Sequence, residues 1–282
     1  MEFFAIYGPQ NYFINKKRTK KMLNVFLELA SEAGSIIRTH FEKGDYKTEV
    51  KDDNSPVTTA DYRANELIVM GLKSSYPNIP VISEESIQEN VDGDEFFLVD
   101  PLDGTKEFIK GSGQFSVNIA FVKKKKPLLG VIFVPMTGEM YFSDEEKNAY
   151  KINKIKNSQK TLLKTNENPN FISPIRVVTS KDHLDKETEL SLESIDSYET
   201  IKMGSSIKFC LLSQGSAEIY PRKRPTMEWD TAAGHAILSA SGGKVIDLTT
   251  NKELIYGKKG YKNNSFVAYS SEKMRSIPFN GL

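Results

Sequence analysis

Leu98-Val99-Asp100-Pro101-Leu102-Asp103-Gly104-Thr105 runs an apolar strand end into a tight turn that carries two carboxylates and a hydroxyl. Phe96 to Val99 is continuously apolar, the pattern of a buried strand. Pro101 has no N–H and a fixed φ, so the ladder is expected to stop just after Asp100. Asp103-Gly104 is a turn dipeptide, and Gly104 lets backbone N–H groups come close to an anion. Thr105 to Phe108 is expected to open a helix, whose N-terminus favours a phosphate. One short segment therefore offers carboxylates to cations and backbone donors to phosphate oxygens.

Two further acidic segments lie outward from this turn. Glu84-Glu85 follows the strand-like Val81-Ile82, and Asp230 follows Trp229 at the start of a run rich in small residues, Asp230 to Ala236. An Asp-Pro or Asp-Gly pair alone is ordinarily just a turn; three acidic segments meeting would be something else. Two carboxylates 4 Å apart repel by about 4 kcal/mol at an effective dielectric of about 20. Such a cluster takes up protons or binds cations. Mg²⁺, which seeks oxygen ligands and keeps some of its waters, suits it.

Composition narrows the class. At 282 residues with 39% hydrophobic content, the chain can bury a sizeable core. Its formal charge of +1 gives no global positive field, which argues against a nucleic-acid polymer as partner. The single cysteine, Cys210, excludes an intrachain disulfide framework and suits a reducing compartment. Its apolar context reads as core. Three histidines without H-E-x-x-H or paired C-x-x-C spacing give a zinc site little support. No apolar run approaches the ~20 residues of a membrane span. Residues 1–21 mix aromatics with Lys16-Lys17-Arg18 and Lys20-Lys21, without the order of a secretory signal; a poorly ordered extension is expected.

The remaining pattern alternates. Met22 to His40 and Asp61 to Ser74 have helical apolar spacing, with a polar loop, Lys43 to Asn54, between them. SVNIAFV, LLGVIFVP and EMYFS, within 115–143, read as an antiparallel meander whose four-lysine link, Lys123 to Lys126, is a solvated hairpin tip. Lys147 to Asn170 is Lys/Asn-rich and reads as surface. Arg176 to Thr179 suggests a strand, and Leu190 to Ser197 and Ser206 to Gln214 suggest helices. Asp230 to Ser241 predicts a helix stopped by Gly242-Gly243. Pattern alone gives mixed α and β.

The quoted stretch, extended to LVDPLDGTKEFI (98–109), resembles the first signature of the inositol monophosphatase superfamily. TMEWDTAAGHAI (226–237) resembles the second. SPVTTAD (55–61) and Ser83-Glu84-Glu85 are similar to two further family segments, in family order. Within the superfamily, TKEF (105–108), GSSIKFC (204–210) and YPR (220–222) resemble the 3′(2′),5′-bisphosphate nucleotidases of the bacterial CysQ type. The resemblance runs from Met22 to Ser270. It implies an α+β fold layered α-β-α-β-α, with residues 22–282 as one unit. Its lobes would be about 22–160 and 161–282, with the metal site between them.

By the same resemblance, Glu84, Asp100, Asp103, Asp230 and the Leu102 carbonyl would hold two or three Mg²⁺, and several of them would also face the substrate. Asp61 and Thr105 match the pair that activates water, and Gly104 and Thr105 offer N–H groups to the phosphate. Ser180, His183, Ser205, Lys208 and Arg222 match nucleotide contacts, with Lys208 and Arg222 suited to a second phosphate. The implied reaction is hydrolysis of 3′-phosphoadenosine 5′-phosphate to AMP, with its 5′-phosphosulfate as a second substrate. The implied setting is sulfur assimilation and by-product clearance, with lithium sensitivity. The cytoplasm is the expected compartment, a peripheral place at the inner membrane face stays open, and oligomeric state is not set. Two rival readings are an inositol monophosphatase of the same fold and a non-catalytic binding protein on this scaffold. Intact acids at every metal position weigh against the second.

Overall fold

The computed structural model describes residues 9–86, 93–155, 157–165, 173–181 and 186–277. The chain begins with α1 (Pro9–Lys43), a small β1–β2 ribbon (Thr48–Val50, Pro56–Thr58) and α2 (Thr59–Ser75). β3 (Val81–Ser83), β4 (Glu95–Asp103), the short α3 (Thr105–Ile109), β5 (Ser116–Lys123) and β6 (Lys126–Val134) follow. Then come β7 (Glu139–Ser143), β8 (Ala149–Asn153) and β9 (Asn157–Leu162). β3 to β9 form a seven-stranded sheet in chain order, antiparallel except for the β3–β4 pair.

The second half holds β10 (Ile175–Thr179), α4 (Lys186–Leu192), β11 (Tyr198–Lys202), α5 (Ile207–Ser213), β12 (Ile219–Arg222) and α6 (Ala232–Ala240). β13 (Lys244–Asp247), β14 (Lys252–Glu253) and β15 (Phe266–Tyr269) complete a six-stranded sheet ordered β11-β10-β12-β15-β13-β14. Among the described residues no helix is long and apolar enough to cross a membrane.

Strand alternation sorts the core into layers. Phe97, Val99, Val117, Ile119, Val131 and Phe133 face Phe26, Ala30, Ala33, Ala64 and Ile68 of α1 and α2. From the same strands Phe96, Leu98, Ala120, Val122 and Ile132 face the other way, onto Phe209, Cys210, Ala233 and Ile237 of α5 and α6. The second sheet closes over that helix layer with Val178, Tyr220 and Phe266. Its outer face, with Val177, Ile219 and Val267, packs on Leu192 of α4. The order is helix, sheet, helix, sheet, helix, as expected. Each fully buried Leu, Ile or Phe stabilises this stack by about 1.5–3 kcal/mol. α6 lies close to the first sheet because Gly130 of β6 has no side chain: a Cβ there would sit 2.3 Å from the Ala233 carbonyl oxygen.

Several expectations need correction. Residues 9–21, expected as part of a disordered extension, belong to α1. Lys16 pairs with Glu146 in the turn after β7, and Arg18 with Glu95 at the start of β4. Met1 to Gly8 lie outside the described residues. β8 and β9 occupy part of the stretch read as plain surface, and a lobe boundary at 160/161 would cut β9. α4 ends at Leu192, before the Ser197 expected. Most consequentially, β4 does not stop at Pro101 but continues to Asp103.

Candidate active site

The passage of β4 through Pro101 builds the first part of the site. Asp100 pairs with Asn118 and Asp103 with Ser116, so three steps on β4 match two on β5. That extra residue is a β-bulge, and a bulged position needs no ladder N–H, which is how proline fits there. The bulge has a geometric consequence. Asn118 and Ser116 share a face, so Asp100 and Asp103 do too, although residues three apart in a regular strand would not.

Hydrogen bonds fix both acids. Leu102 N–H donates to Asp100 Oδ1 at 3.1 Å, and Asn118 Nδ2 donates to Asp103 Oδ2 at 3.2 Å. Ser206 N–H, at the head of α5, donates to the same Asp103 oxygen. The Ser206 hydroxyl donates to Asn118 Oδ1 at 2.7 Å and lies 2.9 Å from that of Ser116.

Gly104 turns the chain with φ +98°, a left-handed conformation that suits glycine, and α3 begins. So short a helix needs an anchor, which is Phe108. It is fully buried, with ring centroids of Phe41, Tyr46 and Phe115 at 5.4, 4.8 and 5.2 Å. Thr105 is thereby held with its hydroxyl 3.0 Å from Asp61 Oδ1 and 3.2 Å from the Leu102 carbonyl oxygen. Asp61 is the third residue of α2 and closes a capping box with Thr58, whose N–H donates to Asp61 Oδ2 at 2.8 Å. Burial raises the Asp61 pKa, against the opposing pull of its bonds from Thr58 and Thr105.

Glu84 follows β3, which runs parallel to β4, and its N–H donates to the Val99 carbonyl at 3.1 Å. Asp230 arrives on the turn before α6, with Oδ2 accepting from Met227 N–H at 2.8 Å. Glu84, Asp100 and Asp230 each place a carboxylate oxygen within 4.8 Å of the others. Asp103 lies beside this trio, tied to Ser206 and Asn118. Burial, then Glu84 and Asp103, drive the Asp100 pKa far up. Burial, then Asp103 and Glu84, raise that of Asp230. Asp103 is also raised by burial, opposed chiefly by Lys208. Lys51 donates to Glu84 at 2.9 Å and Glu85 at 2.7 Å, and burial still pushes Glu85 up to about 7.

The trio consists entirely of hard oxygen donors, without nitrogen or sulfur, and burial with the neighbouring acids pushes two of its members, Asp100 and Asp230, toward the protonated form. Those properties fit a divalent, oxygen-seeking cation.

Asp103, Gly104 and Asp230 also line a cleft of about 450 Å³ with Ser180, Ser205, Lys208 and Arg222. Arg222 Nη1 donates to Ser180 Oγ at 2.8 Å, while its Nε is buried without a hydrogen-bond partner among the described residues. Lys106, Lys110, Lys181 and Arg224 add positive charge to the lining. Lys208 is placed differently from a simple phosphate contact. It is buried, donates to the Ser205 carbonyl at 2.6 Å and that of Met203 at 3.3 Å, and burial lowers its pKa to about 8. It thus braces the turn in which Ser205 takes φ +49°. His183 lies outside the described residues.

A profile of the inositol monophosphatase family matches residues 18–277. The chain belongs to that family. Among relatives in the inositol monophosphatase family, the 3′(2′),5′-bisphosphate nucleotidase CysQ of Salmonella typhimurium is 39% identical over 246 residues, 83% of this chain and 96% of that protein. The protein of the same name from Escherichia coli K12 is 41% identical over 231 residues, covering 80% and 90%. Among solved structures, CysQ from Bacteroides thetaiotaomicron superposes with a TM-score of 0.77 at 37% identity, covering 89% of this chain and 97% of its own. An inositol monophosphatase from Thermotoga maritima, at 0.73 and 22%, shares the fold.

The sequence reading missed Lys51, Asn118, Ser116 and Ser206. Ser206 stood in a motif already quoted, but its N–H acts through the backbone, which side-chain chemistry does not reveal. Asn118 carried a usable signal: a polar residue inside the apolar run SVNIAFV, 1% exposed, needs a buried partner.

Proposed function

We propose that this chain hydrolyses the 3′-phosphate of 3′-phosphoadenosine 5′-phosphate, giving AMP and phosphate, and accepts the 5′-phosphosulfate analogue as well. The observation that carries the reading is one of position. An acidic trio that suits divalent cations adjoins a cleft lined with cations, and Asp230 belongs to both. A substrate with one phosphate at the acids and a second near Arg222 matches that polarity. The CysQ relatives, at about 40% identity over most of the chain, support the same substrate.

Glu84, Asp100, Asp103, Asp230 and the Leu102 carbonyl are the proposed holders of Mg²⁺, two or three ions. Bound there, they would supply Lewis-acid polarisation of the phosphoryl group and offset charge on the leaving oxygen. The chain's own residues do the rest. Thr105 donates its hydroxyl proton to Asp61 Oδ1, so Thr105 Oγ1 is free to accept from a water and Asp61 to take the proton onward. Gly104 and Thr105 N–H groups face the phosphate oxygens. Arg222 holds the phosphate that is not cleaved, its Nε, unpartnered among the described residues, finding an acceptor there. Ser180, His183 and Ser205 are proposed to contact the nucleoside, and Lys208 to shape their cleft from beneath. The proposed compartment is the cytoplasm, consistent with a free, buried Cys210.

Product identity tests this reading. Hydrolysis followed by phosphorus NMR should yield AMP, with the 5′-phosphate intact. Accumulation of adenosine 3′-phosphate would mean that the cleft holds the nucleotide the other way round.

A further inference from the structure

A second cavity, of about 540 Å³, lies at the opposite end of β4 from the acids. Glu95 lines it and opens β4, so at ~3.3 Å per strand residue Asp103 is about 25 Å away. α1, the β5–β6 hairpin and the turn after β7 form its walls. Met22, Phe121 and Leu128 give it an apolar floor. Leu128 is 43% exposed there, although β6 is buried from Leu129 onward.

The rim is charged, and unevenly so. α1 supplies Lys16 and Arg18, the hairpin Lys123, Lys124 and Lys126, and the turn Lys147. Against them stand half as many acids, Glu95, Glu145 and Glu146. Two of the acids are already engaged: Glu95 takes Arg18 at 2.8 Å and Lys123 at 2.7 Å, and Glu146 takes Lys16 at 2.7 Å. The Arg18 guanidinium stands 6.0 Å from the Phe121 ring centroid, where rim meets floor. The lining as a whole is therefore positive, and a concave wall of low polarity focuses that field on an incoming anion.

The hairpin tip adds an observation of a different kind. Lys123 pairs with Lys126, so Lys124 and Lys125 are the two central residues of the turn, and both have positive φ, +49° and +63°. A turn of that form favours Asn-Gly, and lysine is strained in either place. Lys124 N–H donates to the Asp94 carbonyl at 2.7 Å, which holds the strained turn against the start of β4. Residues kept against their backbone preference gather where a site uses them.

We propose that this cavity binds a small organic anion with an apolar body, its carbon skeleton on Met22, Phe121 and Leu128 and its acidic group among the lysines of the hairpin. The volume is that of a small-molecule pocket. A bare inorganic anion would leave the floor uncovered, and a neutral apolar molecule would leave the rim unanswered. The proposal stands apart from the acidic cleft and does not depend on the reading of its substrate.

The probe is 8-anilinonaphthalene-1-sulfonate, an aromatic sulfonate whose fluorescence rises as it leaves water. The full chain should bind one dye saturably, and octanoate should displace it at least about tenfold more effectively than octanol, by the value of one charged contact. Inorganic phosphate should not displace it. Leu128→Glu puts a carboxylate on the floor at an exposed position, and should weaken dye binding at least about tenfold; Leu128→Met should stay within about twofold of wild type. Lys126→Glu, on the rim, should also weaken it, with both variants folded by circular dichroism. Arg222→Ala, in the other cleft, should bind the dye as wild type does. Absence of saturable binding, equal displacement by octanol and octanoate, or wild-type affinity in folded Leu128→Glu and Lys126→Glu would overturn the proposal. So would a loss confined to Arg222→Ala, which would put the dye in the acidic cleft.

Discussion

Arg222 and Lys208 differ in what their cationic groups bond, although the sequence assigned them one role. Arg222 keeps a buried Nε without a partner among the described residues, whereas the Lys208 ammonium is already spent on the carbonyls of Ser205 and Met203. A charged hydrogen bond contributes about 1.5–3 kcal/mol, so Arg222→Ala should lower kcat/KM on 3′-phosphoadenosine 5′-phosphate by roughly 10- to 150-fold. Hydrolysis of 3′-AMP, which lacks the second phosphate, should change little. Lys208→Ala should instead damage both reactions alike, because the turn it braces also presents Ser206 N–H to Asp103. A loss confined to the bisphosphate would return Lys208 to the role of direct contact. Asp103→Asn keeps the shape of the side chain and removes its charge. Turnover should drop by at least about 10²-fold with folding intact, as judged by circular dichroism, since carboxylate repulsion is relieved.

At the scale of elements, β4 and α6 bring the acids together, and α6 depends on its close approach to Gly130. A methyl group at that position meets the Ala233 carbonyl oxygen at 2.3 Å, which no side-chain rotation can relieve. Gly130→Ala should cost about 1–3 kcal/mol in urea unfolding. It should also depress kcat in the surviving folded protein, since α6 carries the Asp230 turn; full stability with full activity would show that the layers have slack. The meander β5–β7 was legible in the sequence because its apolar runs are long and its turns are marked. β8 and β9 were not, since interspersed Lys and Asn hide the alternation of two outer strands. Pro101 misled for a related reason. Its rule is local and ends a regular ladder, whereas a bulge tolerates proline and is settled only by pairing with β5. The acids themselves were readable, while the backbone and amide donors that aim them became visible only with the fold.

For the whole molecule, the site stores like charge between two sheets, and stability should register it. Glu85, Asp100, Asp103 and Asp230 all have pKa values raised in the fold, so the folded state binds more protons than the unfolded chain above ordinary carboxylate values. Stability from these groups is present at low pH and is lost as pH rises through the raised values, Glu85 at about 7 among them. His235, kept neutral by burial, acts in the opposite sense, and Lys208 joins it at the top of the range, but the raised acids outnumber the two. Metal-free protein should therefore lose thermal stability between pH 5.5 and pH 8. Mg²⁺ should restore it at the upper end by binding the folded state alone. A melting temperature that rises over this range without metal would show that the carboxylates are ionised and compensated by other means. The central claim, a Mg²⁺-dependent phosphatase selective for a bisphosphate nucleotide, has a direct measurement: phosphate release from 3′-phosphoadenosine 5′-phosphate and from inositol 1-phosphate, side by side, with Mg²⁺ and with a chelator. The expected result is a kcat/KM at least about tenfold higher on the nucleotide, by the value of one charged contact, and abolished by the chelator. A preference for inositol 1-phosphate, or hydrolysis that persists without divalent metal, would contradict the claim.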